Sequence, residues 1–327
     1  MLVSYSQNFE DVMLWRALKH VEQGYYIDVG AQDPVTDSVS QLFYEHGWRG
    51  IHVEATQTYA NKLREARPED MVVQAAVSDQ AGSLEFFEIP DSGISTGDAK
   101  LATAHRAHGF SVQKTRVPCI LLRDVFELAR NREIHWLKVD VEGMERQVLA
   151  SWLDSPILPW IVVVESTLPM TQQSSFEDWE GYLLARQYTF AYFDGLNRFY
   201  ISPSHPELAS AFSSGPNVFD GFSLSGSASN SLCARLQQQH EDQEARLRKE
   251  LADARSQLTH TLAVQSSIWG NYNSLKAAAM DAAVREAEMT SEAGTDVGRQ
   301  TSRADADADT KRGDGQSEWS RRKIGEE

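Results

Sequence analysis

The chain has 327 residues, is 41% hydrophobic and carries a formal charge of −16 at pH 7. This length fits one large α/β domain together with a further region. The acidic balance argues against a nucleic-acid partner, because such partners require a basic face. It also disfavours binding to an anionic membrane by charge alone.

The two cysteines, Cys119 and Cys233, lie far apart and form neither a disulfide framework nor a zinc-ligand spacing. This usage predicts a reducing compartment. The segment from Met1 to Glu10 is polar and acidic, so we expect no standard signal peptide. No apolar run is long enough to span a bilayer. The sequence therefore predicts a cytoplasmic protein without a transmembrane segment.

The aromatic and β-branched run from Tyr25 to Val29 predicts a buried strand that ends at Gly30. Gly30 has no side chain to keep a ligand away from the backbone. Parallel sheets bind ligands in the crevice at the carboxyl ends of their strands. We therefore expect the functional site to begin at this turn.

Strands and helices alternate along the first 222 residues. Further strands are predicted at 50–54, 71–77, 83–89, 116–121, 135–139, 160–165, 189–193 and 198–201. Helices are predicted at 7–21 with Ser6 as the N-cap, 38–46, 59–66, 123–130, 143–152 and 176–187. The polar stretch 91–109 predicts a mobile loop near the site.

This order predicts an α/β fold with a doubly wound, mostly parallel sheet. The residues Asp194–Asn197 between the last two strands predict an antiparallel hairpin. A seven-stranded sheet with such a terminal hairpin resembles the fold of class I S-adenosylmethionine-dependent methyltransferases.

The composition changes near residue 222, so residues 1–222 are expected to form the globular domain. The Ser/Gly-rich segment 223–231 predicts a flexible linker. Residues 232–290 are rich in helix formers and predict an amphipathic helix. Residues 291–327 have almost no apolar side chains and predict a disordered tail.

The predicted helix carries apolar residues at steps of eleven, namely Leu236, Leu247, Leu258, Trp269 and Met280. This period is about 3.67 residues per turn, so the stripe runs almost straight along the helix. So narrow a stripe needs a partner helix, either in a second copy as a coiled coil or in another protein. The alternative is a single frayed amphipathic helix.

Acidic residues follow the predicted strands. They are Asp28, Glu54, Asp79, Asp140 and Glu165. Each could simply cap the next helix. Five of them at one sheet edge beside a glycine turn favour a ligand site.

Three of these residues have natural roles around a cofactor. Glu54 can accept hydrogen bonds from ribose hydroxyls. Asp28 can hold a positively charged amino-acid end, directly or through water. Asp79 is expected to meet an adenine amino group.

The segment Lys138-Val139-Asp140-Val141-Glu142-Gly143 ends the central strand. Lys138, Asp140 and Glu142 must be paired or functional, because isolated buried charges are costly. Asp140 or Glu142 could accept a proton from a substrate hydroxyl. Alternatively, Asp140 and Glu165 could share a divalent cation such as Mg²⁺.

Dinucleotide binding is the competing interpretation of the first turn. Its G-x-G-x-x-G pattern is broken after Gly30, and pyrophosphate fits poorly among carboxylates. A cationic sulfonium cofactor suits a negative pocket better. His105 and His108 in the polar loop are expected to be solvated, although one could serve as a base.

Several short motifs together resemble the FkbM-type methyltransferases across residues 4–222. They are Tyr25–Pro34, Val53-Glu54-Ala55, Ala76–Asp79, Gly93–Thr96 and Leu137–Gly143. The segments Ser4–Asp11, Tyr192–Tyr200 and Pro216–Asp220 are similar to a subgroup linked to surface polysaccharides. Two positions depart from the family pattern, Gln32 in place of Asn and Ala55-Thr56 in place of a proline after the acid.

The resemblance implies an S-adenosylmethionine-dependent enzyme that methylates a hydroxyl of a sugar, glycan or related small-molecule acceptor. The expected cofactor contacts are Asp28, Gly30, Ala31, Glu54, Ala55, Asp79 and Asp140. The expected catalytic residues are Asp140, Glu142 and Lys138, and the expected substrate or lid residues are Ser95, His105 and Glu165. The alternative is a non-catalytic assembly module that organises a biosynthetic complex through the helical tail.

Overall fold

The computed structural model describes residues 2–298, with side chains described up to residue 290. It divides into one compact unit that ends at Glu244 and another that begins at Ala245. Strands alternate with helices through the first unit, so the prediction of an α/β fold is confirmed. The predicted disordered tail lies outside the described residues from 299 onward.

A seven-stranded sheet forms the centre of the first unit. With strands numbered in chain order, the spatial order is β10 (Thr189–Phe193), β11 (Asn197–Ile201), β9 (Ile161–Glu165), β8 (Trp136–Val139), β2 (Tyr25–Val29), β3 (Arg49–Glu54) and β4 (Met71–Gln74). β11 pairs antiparallel with both β9 and β10, whereas the other pairs are parallel. The carboxyl ends of β2, β3, β8 and β9 therefore meet at one edge.

Seven helices accompany the strands of the first unit, and a long helix follows them. They are α1 (Glu10–Leu18), α2 (Val39–Glu45), α3 (Gln57–Ala66), α4 (Ala99–Ala107), α5 (Leu122–Leu128), α6 (Glu145–Ala150), α7 (Glu180–Leu184) and α8 (Ser231–Gly298). The predicted helix 176–187 is broken into a 3-10 turn, Phe176–Asp178, and α7.

The predicted N-cap Ser6 is wrong. α1 begins at Glu10, with Phe9 in the N-cap position. The Ser6 hydroxyl instead donates to the buried carboxylate of Asp11, at 2.7 Å. That carboxylate also accepts hydrogen bonds from the Ser4 hydroxyl and the Tyr5 N–H. Asp11 thus fixes the chain that enters α1.

The central strands are buried on both faces, and alternate residues enter different cores. Ile27 and Leu137 belong to one hydrophobic cluster, which packs against α5 and α6. Tyr26 and Trp136 belong to the other, where their rings stack 4.8 Å apart between centroids. Strand alternation therefore decides which side chains project to each side at the ligand edge.

The predicted strand 71–77 is split. β4 ends at Gln74, the Ala75 N–H donates to the Glu54 carbonyl, and β5 (Ala76–Val77) leaves the main sheet. β5 pairs with β7 (Gln113–Ile120), which also pairs antiparallel with β6 (Gly82–Glu88). This three-stranded sheet provides one side of the functional site.

The predicted loop 91–109 contains a helix. α4 begins after Asp98, whose carboxylate accepts hydrogen bonds from the N–H groups of Lys100 and Leu101. Such a cap is a strong local signal for a helix start. The irregular part that precedes α4, around Ser92–Thr96, lies at the site.

The predicted linker 223–231 is tied to the globular domain. β12 (Phe222–Leu224) pairs in parallel with β1 (Leu2–Ser4). The Ser229 N–H donates to Asp37 at 2.8 Å, and Cys233 is fully buried. The folded unit therefore extends beyond the predicted boundary at residue 222.

α8 continues through residues 291–298, which the composition predicts to be disordered. The apolar residues at steps of eleven are exposed along it; Leu258 is 60% and Trp269 is 65% exposed. Within residues 2–298, no helix combines the length and the hydropathy that crossing a bilayer requires.

Candidate active site

The turn after β2 brings two backbones into contact. Gly30 has a φ of +83°, and its N–H donates to the Val53 carbonyl at 2.9 Å. A Cβ placed on Gly30 would lie 1.7 Å from the carbonyl oxygen of Asp140. Only glycine fits this turn, because a side chain would push β2 and β8 apart where they meet.

The Glu54 carboxylate organises the neighbouring turn. It accepts hydrogen bonds from the Gln32 N–H at 3.0 Å and from both the N–H and the hydroxyl of Thr56 at 2.7 Å. Burial raises the pKa of Glu54, while the donors from Thr56 and Gln32 oppose that shift. The carboxylate thus fixes the loops after β2 and β3.

An open cavity lies against these turns. Its apolar lining comes from the main sheet, the small sheet and the start of α6, and comprises Val29, Val53, Ala55, Ala75, Ala76, Val77, Phe86, Val141 and Met144. Gly30, Glu54, Ser95 and Asp140 also line it. We call this the apolar cavity.

The parallel register places charged side chains side by side. Asp28 on β2 is paired with Lys138 on β8 and with His52 on β3. The buried Lys138 ammonium lies 2.5 Å from Asp140 Oδ2. Burial alone would lower the pKa of Lys138, but Asp140, Asp28 and Glu10 outweigh it and raise the pKa. Lys138 is therefore charged at neutral pH.

A second cavity adjoins the first, and we call it the polar cavity. Asp28, Ala31, Lys138, Asp140 and Glu142 contribute to its lining. Gly30, Gln32, Ser92, Gly93, Asp140 and Glu142 line both cavities. The two cavities thus form one continuous site with an apolar and a charged part.

Glu10 also lines the polar cavity, although no sequence motif selected it. It is buried in the first turn of α1 and accepts hydrogen bonds from Asn8 N–H and the Asn197 side chain. Burial and the nearby Asp194 raise the pKa of Glu10 to about 7. The sequence does contain a signal for Glu10, because it is a charged residue on the buried face of the amphipathic helix α1.

The loop after β8 is held in an unusual conformation. Glu142 has a φ of +52°, and its carbonyl accepts a 2.7 Å hydrogen bond from the Thr96 hydroxyl. The buried Glu145 carboxylate accepts hydrogen bonds from the N–H groups of Val141 and Gly143. Strained residues of this kind cluster at functional sites. Sequence reasoning missed Glu145, which shapes this loop.

Three carboxylates converge at the carboxyl ends of β8 and β9. One oxygen each from Asp140, Glu142 and Glu165 lies within 4.8 Å of the other two. Burial, reinforced by Asp140, raises the pKa of Glu142 and of Glu165 well above the ordinary value. We call these three residues the carboxylate cluster; Glu142 and Glu165 also line a third cavity with Asp194.

Two predicted site residues lie elsewhere. Asp79 is exposed beyond β5, because β5 leaves the main sheet, and it lines none of the three cavities. His105 is buried on α4 with its ring edge-on to Phe110, and burial lowers its pKa. Ser95 does line the apolar cavity, and its hydroxyl accepts the Ile89 N–H.

Gly30→Ala is expected to destabilise the protein more than Gly47→Ala. Gly47 has a nearly identical φ of +85°, but a Cβ added there would meet no atom within 4 Å, so it is a matched control for backbone strain alone. Strain should cost each variant about 1–2 kcal/mol. Steric overlap with Asp140 should cost Gly30→Ala roughly 1–3 kcal/mol more, measured by urea unfolding. Equal losses would contradict the close contact.

Glu145→Gln should flatten the dependence of stability on pH. Burial raises the pKa of Glu145 from 4.5 to about 7. The folded state therefore binds more protons than the unfolded chain between these values, so this contribution to stability is full below pH 4.5 and is lost as pH rises to 7. Glutamine keeps the acceptor oxygen without the titration. Unfolding free energies measured in EDTA from pH 4.5 to 8 test this; parallel curves would contradict it.

The sequence matches the family described as the methyltransferase FkbM domain over residues 28–191. This range contains the glycine turn, Glu54 and the whole carboxylate cluster. No curated protein matches the sequence.

Two solved structures are similar to parts of the chain. A TehB-like SAM-dependent methyltransferase from Corynebacterium glutamicum is 7% identical, with 58% of this chain and 87% of that chain covered and a TM-score of 0.33. A SAM-dependent methyltransferase from Thiobacillus denitrificans, solved with S-adenosyl-L-homocysteine, is 10% identical, with 55% and 64% covered and a TM-score of 0.29. Because both TM-scores are low, the assignment rests on the family match: the chain belongs to the FkbM methyltransferase family and is a methyltransferase.

Proposed function

We propose that the protein transfers a methyl group from S-adenosylmethionine to a hydroxyl oxygen. The observation that carries this proposal is the continuous site in which an apolar cavity meets a carboxylate-rich one at Gly30 and Asp140. Adenosine is largely apolar on its ring faces, whereas the sulfonium is cationic and the amino-acid end is zwitterionic. One part of the site suits each part of this cofactor.

The residues of the apolar cavity suit the nucleoside. Its aliphatic lining and Phe86 can pack against a purine. Glu54 lies at the end of β3, where an acidic side chain can accept hydrogen bonds from ribose hydroxyls. Each carboxylate oxygen has two acceptor directions, so the three internal hydrogen bonds leave capacity for a ligand.

The polar cavity suits the charged end of the cofactor. Asp28 is buried beside Lys138 and lines this cavity. Its carboxylate can bind an ammonium group, and Lys138 can bind a carboxylate. A zwitterionic amino-acid end fits this pair.

S-adenosylmethionine, when bound, supplies an electrophilic methyl group on a cationic sulfur. The protein must then align an acceptor oxygen with the methyl–sulfur bond, and positioning of this kind can supply about 7–11 kcal/mol. Asp140 or Glu142 accepts the proton that the hydroxyl loses, since both line the polar cavity. The irregular segment with Ser92 and Ser95 borders the site and can help to exclude water.

We infer a sugar or related natural-product hydroxyl as the acceptor, within glycan or surface-polysaccharide biosynthesis. The third cavity is lined with amide, hydroxyl and carboxylate groups from Gln7, Asn8, Thr167, Thr171, Gln172 and Asp194. Such groups suit an acceptor that carries many hydroxyls. Comparing surface glycans from cells with and without the gene by mass spectrometry tests this; unchanged methylation would contradict it.

Asp28→Asn should weaken the binding of S-adenosylmethionine by about tenfold or more, measured by isothermal titration calorimetry on the full chain. The reason is the loss of a charged acceptor for the cofactor's ammonium group, and tenfold corresponds to about 1.4 kcal/mol. Asp154→Asn, a change at an exposed site, is the control and should bind normally.

Asp79→Asn in the same titration tests the predicted adenine contact. Because Asp79 is exposed and outside the cavities, we expect unchanged affinity.

An absence of S-adenosylmethionine binding to folded wild-type protein would overturn the proposed function.

An assembly role is the second candidate, and the exposed stripe on α8 favours it. Leu251 and Leu262 lie eleven residues apart and extend the stripe. The residues that are each more than half exposed include Leu247, Leu251, Leu258, Leu262 and Trp269. A second copy of α8 is a suitable occupant, because the stripe repeats every eleven residues with no break from Leu236 to Met280 and would match itself. In this proposal the helix joins copies of the enzyme.

We also propose a cytoplasmic location, as the sequence predicts.

The double variant Leu251→Glu/Leu262→Glu should shift the protein from dimer to monomer, because it places charge in the stripe. Ser256→Glu/Ser267→Glu puts the same charge on the opposite side of the helix and should leave the dimer intact. Size-exclusion chromatography with light scattering measures the mass. A monomeric wild-type protein would contradict self-association.

A further inference from the structure

We propose that Asp140, Glu142 and Glu165 bind one divalent cation that prefers oxygen ligands, and that this cation also takes the acceptor hydroxyl as a ligand. The second part rests on the proposed function; the first does not. Three features of the carboxylate cluster support the cation: its geometry, two buried oxygens without partners, and its balance of charge.

The geometry of the carboxylate cluster fits one ion. An oxygen from each of the three residues lies within 4.8 Å of the others. A cation about 2.1–2.5 Å from each oxygen spans separations of this size. Glu165 ends β9, and Asp140 and Glu142 lie in the loop that follows the adjacent parallel strand β8. Glu145 and Thr96 hold this loop, so the arrangement is built into the fold.

Two oxygens of the cluster have no hydrogen-bond partner among the described residues. They are Glu142 Oε2 and Glu165 Oε2, and both are inaccessible to solvent. Glu165 as a whole is only 6% exposed. Buried polar atoms are nearly always satisfied, so these two point to a missing ligand.

Lys138 accounts for only part of the negative charge. Its ammonium bonds Asp140 Oδ2, which leaves Oδ1 of the same carboxylate for another ligand. Asp28 and Glu10 also act on Lys138, so this one ammonium cannot balance all the carboxylates around it. A divalent cation would supply two further positive charges.

The position of the cluster connects the cation to the acceptor. Asp140 and Glu142 line the polar cavity, and Glu142 and Glu165 line the third cavity. Three carboxylate ligands leave open positions on a six-coordinate ion. An acceptor hydroxyl at one of these positions would lie where the two cavities meet, and its pKa would be lowered by the ion.

The test is Mn²⁺ binding to the full chain, followed by electron paramagnetic resonance and in competition with Mg²⁺. We expect one Mn²⁺ per chain, displaced by Mg²⁺. Glu165→Gln should weaken Mn²⁺ binding at least about tenfold. Even the loss of a residue that only orients a metal ligand has an effect of about this size. Glu165→Asp should retain part of the affinity.

Glu127→Gln is the control, since Glu127 is exposed on α5 and lines none of the three cavities. It should bind Mn²⁺ as wild type does. Thermal unfolding of each variant with and without Mn²⁺ separates loss of fold from loss of the site, because a bound ion raises the midpoint.

No stoichiometric Mn²⁺ on folded wild-type protein, or equal affinity in Glu165→Gln, would overturn the metal site. A parallel titration with S-adenosylmethionine distinguishes the two proposals. Cofactor binding without Mn²⁺ binding would leave the methyltransferase proposal standing and remove the cation. Mn²⁺ binding without S-adenosylmethionine binding would support the metal site and contradict the methyltransferase proposal.

Discussion

The burial of negative charge around Lys138 is the constraint on which the site depends. The parallel register sets Asp28 beside this lysine, and the turn after β8 returns Asp140 to the same ammonium. Carboxylates that cannot reach Lys138 must keep a proton or acquire another positive partner. The raised pKa values of Glu142 and Glu165 are one expression of this need. A cationic cofactor and a divalent cation would meet it in another way.

The backbone supports this arrangement through small, specific features. The absence of a side chain at Gly30 lets the turns after β2 and β8 touch. Glu54 and Glu145 use their carboxylates to hold adjacent loops through backbone N–H groups. Acidic residues here therefore have two kinds of role: some shape the loops, and others remain available to a ligand. The chemistry of the cavity depends on both.

Much of the fold and of the candidate site was predictable from the sequence. The residues that form a strand and the acidic residues that follow it are close together in the chain. The run Tyr25–Gly30 and the ending Asp140–Gly143 identified adjacent strands and their shared edge. The break between β4 and β5 was not predictable. Six apolar or small residues and Gln74 have the pattern of one strand, whereas tertiary pairing with β7 decides the outcome. Asp79 was misplaced for that reason. His105 lies on a helix and not in a loop because Asp98 caps α4, a local signal within an otherwise polar stretch.

The pairing of β1 with β12 joins segments separated by about 220 residues, since Leu2 lies opposite Phe222. Contacts so distant along the chain form late and slowly. During synthesis, the first strand must therefore wait, unpaired, until nearly the entire catalytic unit has left the ribosome. A nascent chain stalled before Phe222 would expose an unsatisfied strand edge, which is a site where chaperones or unwanted neighbours can attach.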